Sequence, residues 1–514
     1  MPALGQTPLK TPTPTQPAAR RWAALAVLLL PVLLISVDNT VLSFAVPALS
    51  AALAPTGTQL LWIIDIYPLV LAGLLVPMGS LGDRIGRRRL LLIGATGFAA
   101  VSAAAAFAPS AAALVGARAL LGVFGSMLMP ATLSLIRNIF TDTAERRTAI
   151  AIWAAAFSGG AALGPIVGGV LLEHFWWGSV FLLAVPVLIP LLALGPAFVP
   201  ESRDPHPGPV DPASILLSIG TLLPLVYGIK ALTTADERLV GAASLALGLA
   251  MGALFVRRQL RRDHPMLDVR LFRNPVFSGA LLVNLFGVFA LVGFIYFLAQ
   301  HLQLVAGKSP VEAGTLMLPG LALTVLGGFA SVPAVRRFGP AAVVLAGLAL
   351  SAAAYTVVLV WGSEGSLVAI MAAFAVLGAG VGLAETVSND LALAAVPAAK
   401  AGAAAAVSET AYEVGAVMGT AVLGSILNAS YAQGLDVPAG LDAEQAESAR
   451  QTLGGAVEVA AQLPADQADA ARALLESAAH SFDSGVAVTS TVAVALTLAA
   501  ATVAYRTLRG HRAR

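Results

Sequence analysis

Apolar stretches of about twenty residues recur along this chain, and each is long enough to cross a bilayer core, which needs roughly 20 helical residues. Fourteen are found, at 22–50, 58–80, 90–108, 112–137, 147–171, 178–198, 213–230, 237–256, 276–303, 311–333, 340–361, 365–393, 402–428 and 484–508. Of 514 residues 58% are hydrophobic and only 11% charged, against about 25% charged in a typical soluble domain. So little charge leaves no polar coat for a water-facing globule, and lipid is the solvent that fits. The expected fold class is all-α and integral to the membrane.

The same composition excludes other readings. A net charge of +2 gives no reason to expect a nucleic-acid partner. The absence of cysteine excludes disulfides, thiol catalysis and cysteine-held metals, and the six histidines have no ligand spacing. No Gly-x-x-x-x-Gly-Lys-Ser/Thr phosphate loop is present, so drive by ATP is disfavoured and no cofactor is expected. No polar stretch is long enough for a catalytic domain, which argues against an enzyme.

Residues 1–21 are polar with repeated Thr-Pro and read as a disordered cytoplasmic tail; 509–514 read as a second one. The run Trp22–Leu53 exceeds the apolar core of a cleavable signal peptide, about 7–15 residues, and reads as the first permanent span. Lys and Arg then orient the chain. With these spans twenty-four fall on one side and five on the other, Lys230 among the five, and Arg118 alone lies within a span. The bias holds to the last span, so both termini are expected in the cytoplasm. The segment 429–483 is the one long outside loop, with nine acids against Arg450 and Arg472. It reads as an attractor of cations or as a solvated linker with a few helical turns.

Charges deep in a span are the informative residues, since each costs at least about 2.5–3.5 kcal/mol on insertion scales unless it faces protein or water. Asp38 and Asp65 lie in the first and second spans, Glu385 and Asp390 in the twelfth, Glu409 and Glu413 in the thirteenth. Only Arg118 stands against them, and one Arg cannot neutralise several carboxylates. An unpartnered carboxyl group in hydrocarbon favours its neutral form. It can hold a proton or exchange it for an incoming cation, which is a physical basis for antiport. The structural alternative is that each acid is neutral and hydrogen-bonded to a neighbouring helix. Glu409 and Glu413, four residues apart, share a helix face, so protonation of one favours ionisation of the other. Glu173 and Glu312 fall at span ends, where interfacial solvation explains them. Lys230, Asp236, Glu237 and Arg238 fall near a turn, so 213–256 reads as a lipid-exposed hairpin of small importance to transport.

Four motifs add to this. The first inside loop, Gly79-Ser-Leu-Gly-Asp-Arg-Ile-Gly-Arg-Arg-Arg89, combines turn-forming glycines with a topogenic basic cluster. Its order resembles the loop-two-three signature of the major facilitator superfamily, carried here by Gly79, Asp83, Arg84, Gly86 and Arg87. Leu114-Val-Gly-Ala-Arg-Ala-Leu-Leu-Gly122 resembles the fourth-span motif of the drug:proton antiporters, and the resemblance implies that Arg118 takes part in proton coupling. Gly159-Gly-Ala-Ala-Leu-Gly-Pro-Ile-Val-Gly-Gly169 resembles their fifth-span motif, with Gly164 and Pro165 at its centre. Asp38-Asn-Thr-Val-Leu42 followed by Ala45-Val-Pro47 resembles the first-span motif of the fourteen-span branch. Asp65 departs from the commoner neutral residue of that branch and is similar to pumps for quaternary ammonium compounds, cationic dyes and hydrophilic fluoroquinolones, those of mycobacterial type above all.

The resemblance implies two six-helix bundles, 22–198 and 276–508, the second including the acidic loop 429–483, with 199–275 a linker carrying two extra spans. It implies a monomeric, multi-pass protein of a bacterial-type inner membrane that exports lipophilic cationic drugs or dyes in exchange for protons. Aromatic rings near the cavity helices suit flat cations: Trp62, Tyr67, Phe286, Phe289 and Tyr412. Two alternatives stay open on the same fold: an exporter of one self-made toxic metabolite, and a proton-coupled importer of a metabolite.

Overall fold

The structure is a computed structural model that describes residues 17–203, 211–232, 237–263, 265–361, 366–396 and 401–508. Among them, fourteen helices are long and apolar enough to cross a membrane. The first six are α1 (Ala18–Leu53), α2 (Gly57–Ile85), α3 (Arg87–Ala105), α4 (Ala111–Ile139), α5 (Thr143–His174) and α6 (Ser179–Phe198). A hairpin follows, α7 (Pro212–Leu232) and α8 (Arg238–Arg261). The rest are α9 (Pro275–Gln300, prolonged by a π turn at His301–Val305), α10 (Pro310–Phe338), α11 (Pro340–Trp361), α12 (Leu367–Ala394), and α13, which runs Ala401–Met418, a π turn Gly419–Gly424, then Ser425–Gly434. Two short helices, α14 (Ala443–Gln451) and α15 (Leu453–Gln462), precede the final span, α16 (Ala468–Leu508). Residues 18–21 of the expected tail are therefore helical; 1–16 and 509–514 lie outside the described residues.

The two sets of six pack alike. In the first, α1 meets α4, α5 and α6, α4 meets α2 and α3, and α3 meets α6. In the second, α9 meets α12, α13 and α16, α12 meets α10 and α11, and α11 meets α16. The same pairings at the same ordinal positions are the pattern of an internal repeat. The halves are joined crosswise, α2 to α13 and α5 to α10.

One end of the bundle is rich in arginine, with Arg84, Arg87–Arg89, Arg257, Arg258, Arg336 and Arg337; the other carries the segment between α13 and α16. At the Arg-rich end the α2–α3 turn passes through Gly86 at φ +111°, where a Cβ would fall 2.7 Å from the Glu201 carboxylate. Only glycine suits both demands. Glu201 accepts the backbone N–H groups of Arg88 and Arg89 at 3.1 and 3.2 Å, closing the exposed N-terminus of α3. Arg87 pairs with Asp83 at 2.7 Å and donates to Ser202 at 3.0 Å. The signature loop is thus bound to the segment after α6.

At the opposite end the 429–483 segment differs from the expected loop. Its first residues continue α13 and its last begin α16. Between them α14 and α15 pack inward, burying Ala449, Leu453, Ala456 and Val459, and the Tyr431 hydroxyl donates to the Ala449 carbonyl at 2.9 Å. Several acids serve the segment itself: Asp442 caps α14, accepting from Gln445 N at 2.7 Å, while Glu447 and Glu458 accept from Gln451 and Gln462. The segment also crosses between halves. Gly57 N donates to Gln451 at 3.3 Å, and a Cβ at Gly454 would meet Ser50 of α1 at 2.7 Å.

The hairpin corrects a second expectation. α8 does face lipid, with Leu239, Leu247 and Leu249 exposed. Yet α7 lies along α2, Ile219 against Gly73 and Val226 in one apolar cluster with Leu69, Val417 and Ala421. Lys230, assigned by sequence to an outside segment, is buried. At the Arg-rich end Asp211 caps α7, accepting from Ser214 N at 3.3 Å. It also takes the Arg258 guanidinium through Nε at 3.1 Å and Nη2 at 2.8 Å. These hydrogen bonds from Arg258 hold the Asp211 carboxyl well below the ordinary carboxylate range. A depressed folded-state value means that the stabilisation is complete above the usual value of 3.8 and is lost as pH falls through the lower one. Asp211→Ala is expected to loosen the hairpin by about 1–2 kcal/mol. Hydrogen exchange at the first turns of α7 at neutral pH measures this, and Asp211→Asn should recover the cap but not the ion pair.

Candidate functional site

Near the middle of the first bundle, Arg118 of α4 donates through Nη1 to Asp38 Oδ2 of α1 at 2.7 Å and through Nε to the Ile63 carbonyl of α2 at 3.1 Å. Its guanidinium lies 4.5 Å from the centroid of the Tyr67 ring. One arginine thus fastens three helices, and its planar fork and positive face suit all three contacts at once. Arg118 is fully buried and Asp38 nearly so. Asp38 is therefore not the unpartnered acid expected from sequence. The one internal base that the sequence reveals is spent on it.

Asp65 departs from expectation in the same way. Two residues along α2 from Ile63, it pairs with Lys230 of α7 at 2.8 Å, both side chains 1% exposed. The Lys230 ammonium sits 4.2 Å from the centroid of Trp62, whose ring stacks with Tyr227 at 6.5 Å. Sequence reading missed Lys230 because it stands two residues from the end of its helix, where solvation is the usual explanation. The available signals were a second buried acid without a base and an aromatic residue one turn before the lysine.

The second bundle holds the opposite arrangement. Glu413 is buried on α13, Glu409 is half-buried one turn away, and Glu385 is half-buried on α12. None of the three forms an ion pair among the described residues, and Glu385 Oε1 is buried without a hydrogen-bond partner among them. A ladder missed by sequence aligns their helices: Asn284 of α9 donates to Ser408 of α13 at 3.2 Å, and Ser408 donates to Asn389 of α12 at 3.0 Å. The two helices run antiparallel. One turn back from Asn389 reaches Glu385, and one turn on from Ser408 reaches Tyr412, so Glu385 and Glu413 lie at nearly one level. Asp390, expected deep in its span, is instead exposed near the end of α12.

Tyr67 lies within the first bundle, its ring under the Arg118 guanidinium and edge-on to Phe98. It is fully buried, and its hydroxyl has no hydrogen-bond partner among the described residues. Of the other candidate aromatics, Phe286 and Phe289 meet edge to face at 6.0 Å within the α9 wall, and Tyr412 is half-buried.

The fifth-span glycines bring backbones together on two sides. Gly160, Gly164 and Gly168 form a stripe against α1: an added Cβ would meet Ser36 at 2.9 Å, Thr40, and Val41 at 2.6 Å. The Thr40 hydroxyl donates to the Ala161 carbonyl at 3.1 Å. The opposite face meets the other half. A Cβ at Gly169 would fall 2.7 Å from the Pro310 carbonyl, and one at Gly314 would strike that of Pro165. Glu173, read from sequence as interfacial, caps α10 across this seam, accepting from Ser309 Oγ at 3.0 Å and Val311 N at 3.2 Å.

A family model described as Major Facilitator Superfamily matches residues 28–420. The multidrug efflux pump LfrA of Mycolicibacterium smegmatis is 57% identical over 493 residues, covering 96% of this chain and 97% of its own. The methyl viologen resistance protein SmvA of Salmonella typhimurium is 39% identical over 483 residues, covering 93% and 97%. Among solved structures, a bacterial homologue of the human lysosomal transporter Spinster, inward-facing and unoccupied, superposes with a TM-score of 0.63. It is 17% identical, and the superposition covers 97% of this chain and 99% of that one.

Arg118→Met strands Asp38 in a dry interior. It is expected to cost about 3–5 kcal/mol, with Asp38→Asn/Arg118→Met recovering a large part. Thermal unfolding of the detergent-purified full chain measures both; equal losses in the single and double variants would show that the pair is not the reason.

Proposed function

Because the chain belongs to the major facilitator superfamily, we propose that it is a proton-coupled antiporter exporting lipophilic organic cations, drugs and dyes among them. The observation that carries this reading is the trio Glu385, Glu409 and Glu413, carboxylates within the second bundle that no base neutralises among the described residues. Such a set attracts a cation or takes up protons, and the two occupancies compete. That LfrA is a multidrug efflux pump and SmvA a methyl viologen resistance protein supports the direction of transport.

Orientation follows from the arginines: the Arg-rich end faces the cytoplasm, and both termini lie there. The membrane is the bacterial inner one and the working unit a monomer. The contacts joining the halves gather at the other, outer end. They are the α5–α10 seam, Gln303 on the Phe44 carbonyl at 3.3 Å, and Gln451 on Gly57. With the outer end closed by these contacts, the state is read as inward-facing.

From it the cycle has four steps. A cation enters from the cytoplasm or inner leaflet and settles against the ionised glutamates. Its charge neutralises the cavity, and the halves rock about the seam. Protons from outside occupy the carboxylates and displace the cation. The neutral, protonated cavity returns inward and releases its protons. Arg118 keeps α1, α2 and α4 in register. One proton for one monovalent cation moves no net charge; each further proton adds about 2.3 kcal/mol per 100 mV of membrane potential.

The test is uptake of a fluorescent cation such as ethidium into inverted vesicles on an imposed pH gradient. Loss of one charge-assisted contact is worth about 1.5–3 kcal/mol, so Glu409→Gln and Glu413→Gln should each weaken apparent affinity roughly 10- to 100-fold. Undiminished proton-driven uptake in Glu385→Gln, Glu409→Gln and Glu413→Gln alike would refute the reading. Inward accumulation of a polar solute with no effect on dyes would favour an importer.

A further inference from the structure

Lys230 belongs to a part of the chain outside both six-helix bundles, yet it holds the most enclosed ion pair between side chains described here. Three bodies meet at it: Asp65 and Trp62 from the first bundle, Tyr227 and Lys230 from the hairpin, and Val417 and Ala421 from the second bundle, in the apolar cluster on which Trp62 packs. The chemistry of the place is that of a cation receptor. A carboxylate supplies charge, an indole face lies 4.2 Å from the ammonium, and apolar walls from Leu69, Val226 and Val417 continue the seam. A lysine side chain is itself an alkylammonium on a short aliphatic stem. The site is therefore built for an alkylammonium ligand and already holds one, supplied by the chain.

We propose that Lys230 is a tethered cation resident on Asp65, that an alkylammonium or aromatic cation displaces it there, and that this exchange makes the α7–α8 hairpin a working part of the pump. Two features make displacement feasible. A buried pair that loses one partner is costly, but here the arriving cation replaces the departing one, so Asp65 is never left alone. And the hairpin meets the bundle along α2 and the α13 π turn while α8 lies against lipid, so withdrawal of Lys230 sacrifices packing on one side only. The return of Lys230 then helps eject the substrate. Asp65 thus acts as a cation site, and Lys230 as a residue that sets its affinity. The idea rests on the export reading for the direction of transport, whereas the binding claim stands apart from it.

The experiment is equilibrium titration of the full chain in nanodiscs with tetraphenylphosphonium, together with its transport in inverted vesicles. A competitor that occupies the site nine-tenths of the time weakens apparent affinity about tenfold. Lys230→Met should therefore bind about tenfold more tightly than the native chain and lower KM and kcat together. Asp65→Asn/Lys230→Met should lose the gain. Because the chain has no cysteine, Lys230→Cys is addressable alone: aminoethyl methanethiosulfonate restores an ammonium and should return affinity to the native value, while the methyl reagent should not. Unchanged or weaker binding by Lys230→Met overturns the proposal. Should the variants fold poorly, the native chain decides: saturating cation should raise hydrogen exchange across residues 222–232 while α4 stays protected, and no change there would equally overturn it. Native binding without transport would remove the export reading and leave the displacement intact.

Discussion

A charge enclosed in hydrocarbon must be matched or left neutral, and this structure applies both solutions, one in each bundle. In the first bundle the acids are met by bases that come from other helices, Arg118 for Asp38 and Lys230 for Asp65. In the second bundle no base stands against Glu385, Glu409 or Glu413 among the described residues. The asymmetry sets the electrostatics of the space between the halves. The first bundle's acids are balanced by bases, Asp38 within the bundle and Asp65 by the hairpin, and the second offers carboxylates whose charge is free to vary. A protein that exchanges protons for cations needs both: a rigid frame, and a set of groups whose occupancy changes.

The mechanical side depends on backbone proximity rather than on charge. The fifth-span glycines present one face to α1 and the other to α10. The same short stretch therefore braces the helix bearing Asp38 and forms the seam between halves. Larger residues on either face would separate a pair of backbones and lengthen every contact beyond. Glu173 adds a polar latch at the end of that seam, closing the N-terminus of a helix in the other half.

Much of this was legible in the sequence, for a physical reason. Span length is imposed by the bilayer on each helix separately, so the number of spans follows without knowledge of packing. The α5 glycines and the α2–α3 turn were likewise readable, because close approach and a positive φ at Gly86 admit few other residues. What escaped was partnership. Whether an acid is paired depends on which helix lies beside it, and Lys230 lies 165 positions from Asp65 in the chain. Asp38 and Asp65 were thus read as unmatched when both have bases. Asp390 was read as deep when it is exposed, since its depth turns on where α12 ends. The acids of the 429–483 segment looked like a field for cations, yet several are caps and side-chain acceptors within α14 and α15.

The pairing of residue 65 with residue 230 also bears on how such a chain is assembled over evolution. A hairpin inserted between two bundles is ordinarily removable, since it adds helices without interrupting either unit. Here excision would leave an aspartate in the oily interior with nothing to balance it. A shortened, twelve-span descendant would have to exchange that aspartate for an uncharged side chain in the same stroke. The acid therefore cannot outlast the pair of helices that balances it.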